Sequence, residues 1–220
     1  MQLSNETIEV LKNFANINPN LVVSAGNNLK TISEVKTIFA TASISETFEN
    51  SFGIYDLNDF LSALNLIDNP TLEFTDNAVK IKGTDSQVEY RFANQEILTQ
   101  PAKSVAMPSV DCDLTLTSND ISEIKKASSA LGHPVLSLSS DDGTHLVAKV
   151  CDPNNPTANT WSKTIANDRY DSFDYQFLIS NLKLLPGDYK VNISNKLISS
   201  WKSPIVEYWI ALEKTSTIQE

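Results

Sequence analysis

Apolar residues recur along the chain first with a helical and then with an alternating period. Ser4 is placed to cap a helix in which Ile8, Leu11, Phe14 and Ala15 share one face as far as about Asn16. Alternating strand patterns follow at residues 20–24, 29–33 and 35–45, broken by Gly26-Asn27-Asn28 and by the polar step Ser33-Glu34. After Phe52-Gly53-Ile54-Tyr55 a second helix is predicted, capped by Asp56, with Leu57, Phe60, Leu61, Leu64 and Ile67 as its buried stripe and Asn69-Pro70 as its stop. Three short strands then read at residues 71–75, 79–82 and 87–92.

Residues 93–108 hold Pro101 and Pro108 and no clear period, which predicts a connector. Beyond it the order begins again. A strand at residues 112–116 leads into Thr117-Ser118-Asn119-Asp120, whose Thr-x-x-Asp spacing resembles a capping box, and a helix to Leu131. Strands are predicted at residues 135–139 and 144–150 around the turn Asp141-Asp142-Gly143, and further strands at 159–166 and 173–177. A short fourth helix is expected from about Ser180 to Leu185, ahead of Pro186-Gly187, and three terminal strands at residues 189–194, 197–201 and 205–212. Val88-Glu89-Tyr90-Arg91-Phe92-Ala93 closes the first half and Val206-Glu207-Tyr208-Trp209-Ile210-Ala211 the second, with four of six positions identical at an offset of 118. The reading is an α+β chain of two tandem similar domains, each with two helices and an antiparallel sheet: residues 1–93, a connector at 94–109, and residues 110–220.

Charge narrows the function. A formal net charge of −10 argues against a broad basic surface that holds nucleic acid by neutralising phosphates. Any contact with DNA must be local, weak or enforced by shape. The two cysteines, Cys112 and Cys151, lack a CxxC spacing and suggest neither a zinc site nor a disulfide framework, which fits a reducing cytoplasm. Glu6, Glu9 and Lys12 interrupt the apolar positions of the first twenty residues and exclude a signal peptide, and no apolar run is long enough to span a bilayer. Asn5-Glu6-Thr7 and Asn192-Ile193-Ser194 are then chance matches to the glycosylation triplet.

Three stretches in order carry a family resemblance: Leu11-Lys12-Asn13-Phe14-Ala15-Asn16-Ile17-Asn18, Ile54-Tyr55-Asp56-Leu57-Asn58-Asp59-Phe60-Leu61, and Leu185-Pro186-Gly187-Asp188-Tyr189-Lys190. With the duplicated pattern and the length, the chain resembles the sliding clamps of T-even-type bacteriophages, with the DNA clamp fold. The resemblance implies a head-to-tail homotrimer forming a ring around duplex DNA, helices lining the hole and sheets forming the rim. It implies as partners the DNA polymerase, an ATP-driven clamp loader and, further, transcription factors; it implies no cofactor and no membrane, in the cytoplasm of the host cell. The segments 101–108 and 152–156 carry little family likeness.

A clamp needs cations on the helix faces turned away from the sheets. Lys126 projects opposite the apolar side formed by Ile121, Ile124, Ala127, Ser128 and Leu131, with Ser122 and Ser129 beside it and Lys125 on the flank. Lys12 borders the polar face of the first helix with Glu9, Asn13 and Asn16, and Lys183 flanks the fourth. The second helix offers only Asn58, Asp59, Ser62 and Asn65. Lys12, Lys125, Lys126 and Lys183 are therefore the DNA-facing candidates, a thin cationic lining that suits sliding because strong contacts would act as brakes. Partner docking is assigned to Ile97, Leu98, Val105 and Met107 of the connector, and Trp161, Trp201, Trp209, Phe39 and Tyr208 to the core or subunit contacts. No catalytic or metal-ligating residue is assigned: His133 and His145 lack partners at ligand spacing, and Asp141-Asp142-Gly143 lacks the later ligands of a calcium loop. Two competing functions are weighed: a phage structural or adaptor protein of duplicated β-rich domains, and a hydrolase using Asp168, Asp171 and Asp174 around Arg169 and Tyr170.

Overall fold

The structure, a computed structural model, describes residues 1–101, 104–168 and 170–218; Ala102 and Lys103 of the expected connector and Arg169 of the acidic loop lie outside them. The chain packs as two units, Met1–Ser104 with Ile205–Glu207, and Val105–Pro204 with Tyr208–Glu220.

The first unit runs α1 (Asn5–Ile17), β1 (Leu21–Val23), β2 (Gly26–Ile32), β3 (Ile38–Phe48), β4 (Phe52–Ile54), α2 (Leu57–Asn65), β5 (Thr71–Phe74), β6 (Ala78–Lys82) and β7 (Gln87–Arg91). α1 starts where its cap is supplied: the Ser4 hydroxyl accepts the Thr7 amide at 3.2 Å. Its buried stripe is Thr7, Val10, Leu11, Asn13, Phe14 and Ile17, rotated from the expected one, and Ile8 and Ala15 are only half-buried. Thr7 explains the rotation. Its hydroxyl donates to the Glu46 carboxylate of β3, which also accepts the Ser4 amide, so a polar residue is satisfied inside and the helix turns to present it. Burial raises the Glu46 pKa, but these hydrogen bonds outweigh it and hold the carboxyl below its ordinary value.

α2 follows the expected stripe, burying Leu57, Phe60, Leu61, Ala63 and Leu64, and the Asp56 carboxylate accepts the Asn58 amide at 2.8 Å. β4, not foreseen as a strand, pairs antiparallel with β1. β2 and β3 form a hairpin, and β5, β6 and β7 an antiparallel meander with Val79 and Ile81 fully buried at its centre. β7 lies at the edge of that sheet among the described residues.

The second unit runs β8 (Cys112–Leu116), α3 (Ser118–Leu131), β9 (Val135–Ser140), β10 (His145–Cys151), β11 (Trp161–Asn167), β12 (Phe173–Leu178), β13 (Tyr189–Ser194), β14 (Ile198–Lys202), β15 (Val206–Ala211) and β16 (Thr217–Ile218). One sheet has the order β11-β10-β9-β12-β16, and β15, β14, β13 and β8 lie side by side in another. The alternating inward residues meet in a core that includes Leu136, Leu138, Val191 and Ile193, with Phe177 set edge-on to Trp201 at 5.7 Å between centroids. Phe39, Trp201 and Tyr208 are buried, and Trp161 and Trp209 are half-buried.

The expected fourth helix is not formed. Residues Ile179–Asn181 make a single 3-10 turn with no side-chain cap, and a segment that is neither helix nor strand leads from it to Pro186. The Ile179 amide is taken by the Pro134 carbonyl at 2.8 Å, and Leu182 and Leu184 are buried while Lys183 between them is less so. An alternation of that kind over so few residues, ended by proline, does not repay helix nucleation.

Candidate nucleic-acid interface

α3 is built from its first turn. The Thr117 hydroxyl accepts the Asp120 amide at 3.2 Å while the Asp120 carboxylate accepts the Thr117 amide at 2.9 Å, completing the capping box. The Asp188 carboxylate accepts a further end amide, that of Ser118, at 2.7 Å. Gly132 closes the helix at φ 70°, a left-handed conformation that favours glycine. Ile121, Ile124 and Ala127 are buried, with α3 packed on β10, so Lys125, Lys126 and Ser129 are left exposed on the opposite side.

The two acids of α3 are tied to one cation. Lys163 of β11 places its Nζ 2.7 Å from the Asp120 carboxylate and 2.7 Å from that of Glu123. Burial raises the Asp120 pKa, yet Lys163 and Thr117 together hold it below the ordinary value; Lys163, followed by Asn119, does the same for Glu123. Lys125 and Lys126 have no acidic partner among the described residues. Partial desolvation pushes the Lys125 ammonium below its ordinary value. This face of an acidic protein is therefore cationic.

A groove of about 450 Å³ runs along it. Ser118, Ile121, Ser122, Lys125, Lys126 and Ser129 line one side and Leu184, Leu185, Pro186 and Gly187 the other. Two buried phenols fix the second wall: Tyr208 Oη accepts the Leu185 amide at 3.1 Å, and Tyr189 Oη donates to the Leu185 carbonyl at 2.8 Å. Burial pushes the Tyr189 hydroxyl up to about 12 and that of Tyr208 higher still, so both stay neutral. Leu185 to Tyr189 thus supplies the groove wall, its anchor and a cap for the facing helix. Sequence reasoning quoted this stretch only as a resemblance and missed the roles of Lys163, Asp188, Tyr189 and Tyr208; the signal was the polar Asp188 and Tyr189 directly after a Pro-Gly turn.

The first unit presents a different face. Lys12 is exposed but pairs with Glu9 at 2.8 Å, and α2 exposes Asn58, Asp59, Ser62 and Asn65. Asn13, expected beside Lys12 on the polar face, is buried. Lys183 is half-buried on the segment before Pro186 and does not line the groove. Of the four lysines singled out, the structure brings together Lys125 and Lys126.

Of the docking residues, Ile97 is 69% exposed, Val105 and Met107 are half-buried, and Leu98 is 6% exposed. Leu98 packs on the backbone of Gly53, where a Cβ would come within 2.8 Å of its Cδ1, so it is a core residue. Asp174, expected in an acidic loop, lies on β12, and its carboxylate accepts from Ser137 and from Gln176, each at 2.6 Å. His133 Nε2 is 2.8 Å from the Asn159 carbonyl, and His145 is paired with Asp142. Among the described residues no three His, Cys, Asp or Glu side chains converge as metal ligands would.

Comparison with known proteins places these features in a family. Residues 4–99 match the family described as DNA polymerase processivity factor. The chain is 33% identical over 219 residues to the sliding clamp of Vibrio phage KVP40, covering 97% of this chain and 99% of that protein. It is 31% identical to the sliding clamp of Escherichia phage RB69 over 99% of both chains, and 26% identical to that of Enterobacteria phage T4, again over 99% of both. Its fold matches that of proliferating cellular nuclear antigen from Entamoeba histolytica at a TM-score of 0.69, with 14% identity over 94% of each chain. It also matches a chain from the structure of A. fulgidus PCNA with the C-terminal region of FEN-1 bound, at a TM-score of 0.70, with 9% identity over 98% of each. The chain belongs to the sliding clamps of T-even-type phages, the DNA polymerase processivity factors.

Proposed function

We propose that three copies of this clamp close into a ring around duplex DNA, that the α3 groove faces the DNA, and that topology rather than attraction holds the polymerase on its template. One observation supports this most: the acids of α3 are bound by Lys163 while Lys125 and Lys126 stay open, on a chain of net charge −10. Two lysines per copy neutralise few phosphates, and affinity and its salt dependence both scale with that number. The contact is loose enough to slide. Lys12, neutralised by Glu9, and Lys183, half-buried, contribute less.

Ring closure needs a heterologous contact, in which one surface of each copy meets a different surface of the next. The edge strands β7 of the first unit and β11 of the second fit that role. Val88 and Tyr90 on one and Trp161 and Ile165 on the other are half-buried, an apolar surface that edge pairing would cover. A clamp loader driven by ATP opens and closes the ring in the host cytoplasm, and the clamp itself catalyses no reaction. Polymerase, loader and transcription factors dock through apolar side chains, with the exposed Ile97 the foremost and the half-buried Val105 and Met107 secondary.

The test is retention on linear DNA with blocked ends. The loaded protein stays on blocked DNA and leaves when one end is freed, and exchange of Lys125 and Lys126 for alanine lowers loading or processivity modestly with no change in melting temperature. Retention on open-ended DNA would contradict a topological grip. Light scattering complements it, with a mass of about 73 kDa expected, three times the 24.3 kDa of one chain.

A further inference from the structure

Each of the three α-helices among the described residues opens on amides that a carboxylate of the chain accepts. In α2 it is the cap itself: Asp56 takes the Asn58 amide at 2.8 Å and that of Asp59 at 3.4 Å. In α1 the cap is Ser4, and Glu46 of β3 accepts the Ser4 amide besides. α3 has a complete capping box in Thr117 and Asp120, yet a second acid, Asp188 from 70 positions further along the chain, lies 2.7 Å from the Ser118 amide. Local capping accounts for Asp56, Ser4 and the box, but not for Asp188. Asp188 is exposed. Ser118, which it covers, and Gly187, which precedes it, line opposite sides of the groove that holds Lys125 and Lys126.

We propose that Asp188 keeps DNA phosphates off the start of α3, so that a duplex passing over Lys125 and Lys126 finds no amide to lodge against and the loaded clamp slides. The proposal rests on the reading that this groove faces DNA. A helix start is a ready seat for phosphate, because open amides and the positive end of the dipole meet there. The two kinds of contact differ in what they do to motion. A lysine is a point charge on a flexible stem and follows a phosphate as it moves, whereas amides are fixed and hold it in one place. Beside two lysines, an open helix start would turn a loose contact into a seat. Asp188 prevents this twice over: its oxygen occupies the amide, and its charge repels phosphate from the end of the groove.

Clamp is loaded onto end-blocked linear DNA, one end is freed, and escape is timed at low and raised salt for the unmodified protein, Asp188→Asn and Asp188→Ala, with loading of K125A/K126A measured alongside. Asp188→Ala opens the amide and removes the charge. Its escape should be about fourfold slower at about 50 mM salt and nearly normal at about 200 mM, since one phosphate contact weakens about 3.5-fold over that rise. Asp188→Asn keeps an oxygen on the amide and loses only the charge, so it should be slowed less. Damage to the fold or the ring hastens loss, from blocked DNA as well, and does not mimic slower escape. Asp188→Ala escaping as fast as the unmodified clamp, with K125A/K126A loading less, overturns the proposal and leaves the groove on DNA. The same fast escape with normal loading of K125A/K126A overturns the groove reading and the proposal with it. Slowing that is equal at both salt concentrations also overturns the proposal, because a phosphate contact responds to salt.

Discussion

The Tyr208 hydroxyl accepts the Leu185 amide at 3.1 Å from within the core, where Tyr208 is fully buried. A side chain of β15 thereby sets the wall of the groove that α3 faces. Tyr208→Phe removes the acceptor and leaves the amide without its partner, which costs about 1–3 kcal/mol. Urea denaturation should show a lower midpoint with an unchanged slope, and loading onto DNA should fall slightly as the wall loosens. Wild-type stability in this variant would mean that the hydrogen bond does not hold the wall.

Lys163 governs the charge of the same groove without lining it. Lys163→Gln releases the Asp120 and Glu123 carboxylates, each 2.7 Å from the ammonium, next to Lys125 and Lys126. Loading onto end-blocked DNA should then fall further below the unmodified level than it does in the Lys126→Ala variant, because two acids are unmasked where the alanine removes one cation. Because Lys163 lies on the edge strand β11, the mass of the assembly is measured alongside. An intact assembly with unaltered loading would remove Lys163 from this role.

Several carboxyls have pKa values held down in the folded state. For Asp120 and Glu46 burial acts upward but hydrogen bonds prevail, and for Asp111 the bonds from Ser109 and Asn195 lead. A lowered folded-state value means the ionised form is favoured by folding, so the stability it contributes is complete above the unfolded value near 4 and is lost as pH falls through the lower folded value. Denaturant titrations should therefore give a plateau above about pH 5 and a steady decline toward about pH 2. A protein equally stable at both ends would deny these carboxyls any part in holding α1, α3 and the turn after β13.

Where local signals and packing agree, the sequence is a good guide. Asp56 caps α2, Thr117 and Asp120 close the capping box of α3, and the strand at residues 112–116 has the expected bounds, since each follows from side chains within a few residues. Long-range partners were not legible. Thr7 is buried because Glu46 lies 39 positions away, and that contact rotates α1 off the face its apolar residues suggest. Leu98 reads as a loose connector residue, yet the absence of a side chain at Gly53 opens the place it fills. The pairing of Lys163 with α3 is likewise set by strand order. Choosing among four candidate lysines needs the positions of the acids, which no local pattern contains.

Head-to-tail closure through β7 and β11 makes a prediction that symmetric pairing does not. Val88→Lys places an ammonium on the apolar side of one edge and Ile165→Lys on that of the other, at positions half-buried in the isolated chain. Each variant alone should remain a monomer, because every heterologous contact uses one altered edge, and burying an unpaired charge outweighs the area gained. Mixed together, the two should form a dimer of about 49 kDa, twice the 24.3 kDa of one chain, and go no further. In that dimer the intact β11 of the Val88→Lys copy meets the intact β7 of the Ile165→Lys copy, and both remaining edges are blocked. Were the contact formed by like edges, the Ile165→Lys protein would keep a β7 pair on its own and mixing would add nothing. Analytical ultracentrifugation of the two variants and their equimolar mixture decides between these outcomes, and a single cooperative melting transition in each variant excludes unfolding as the cause.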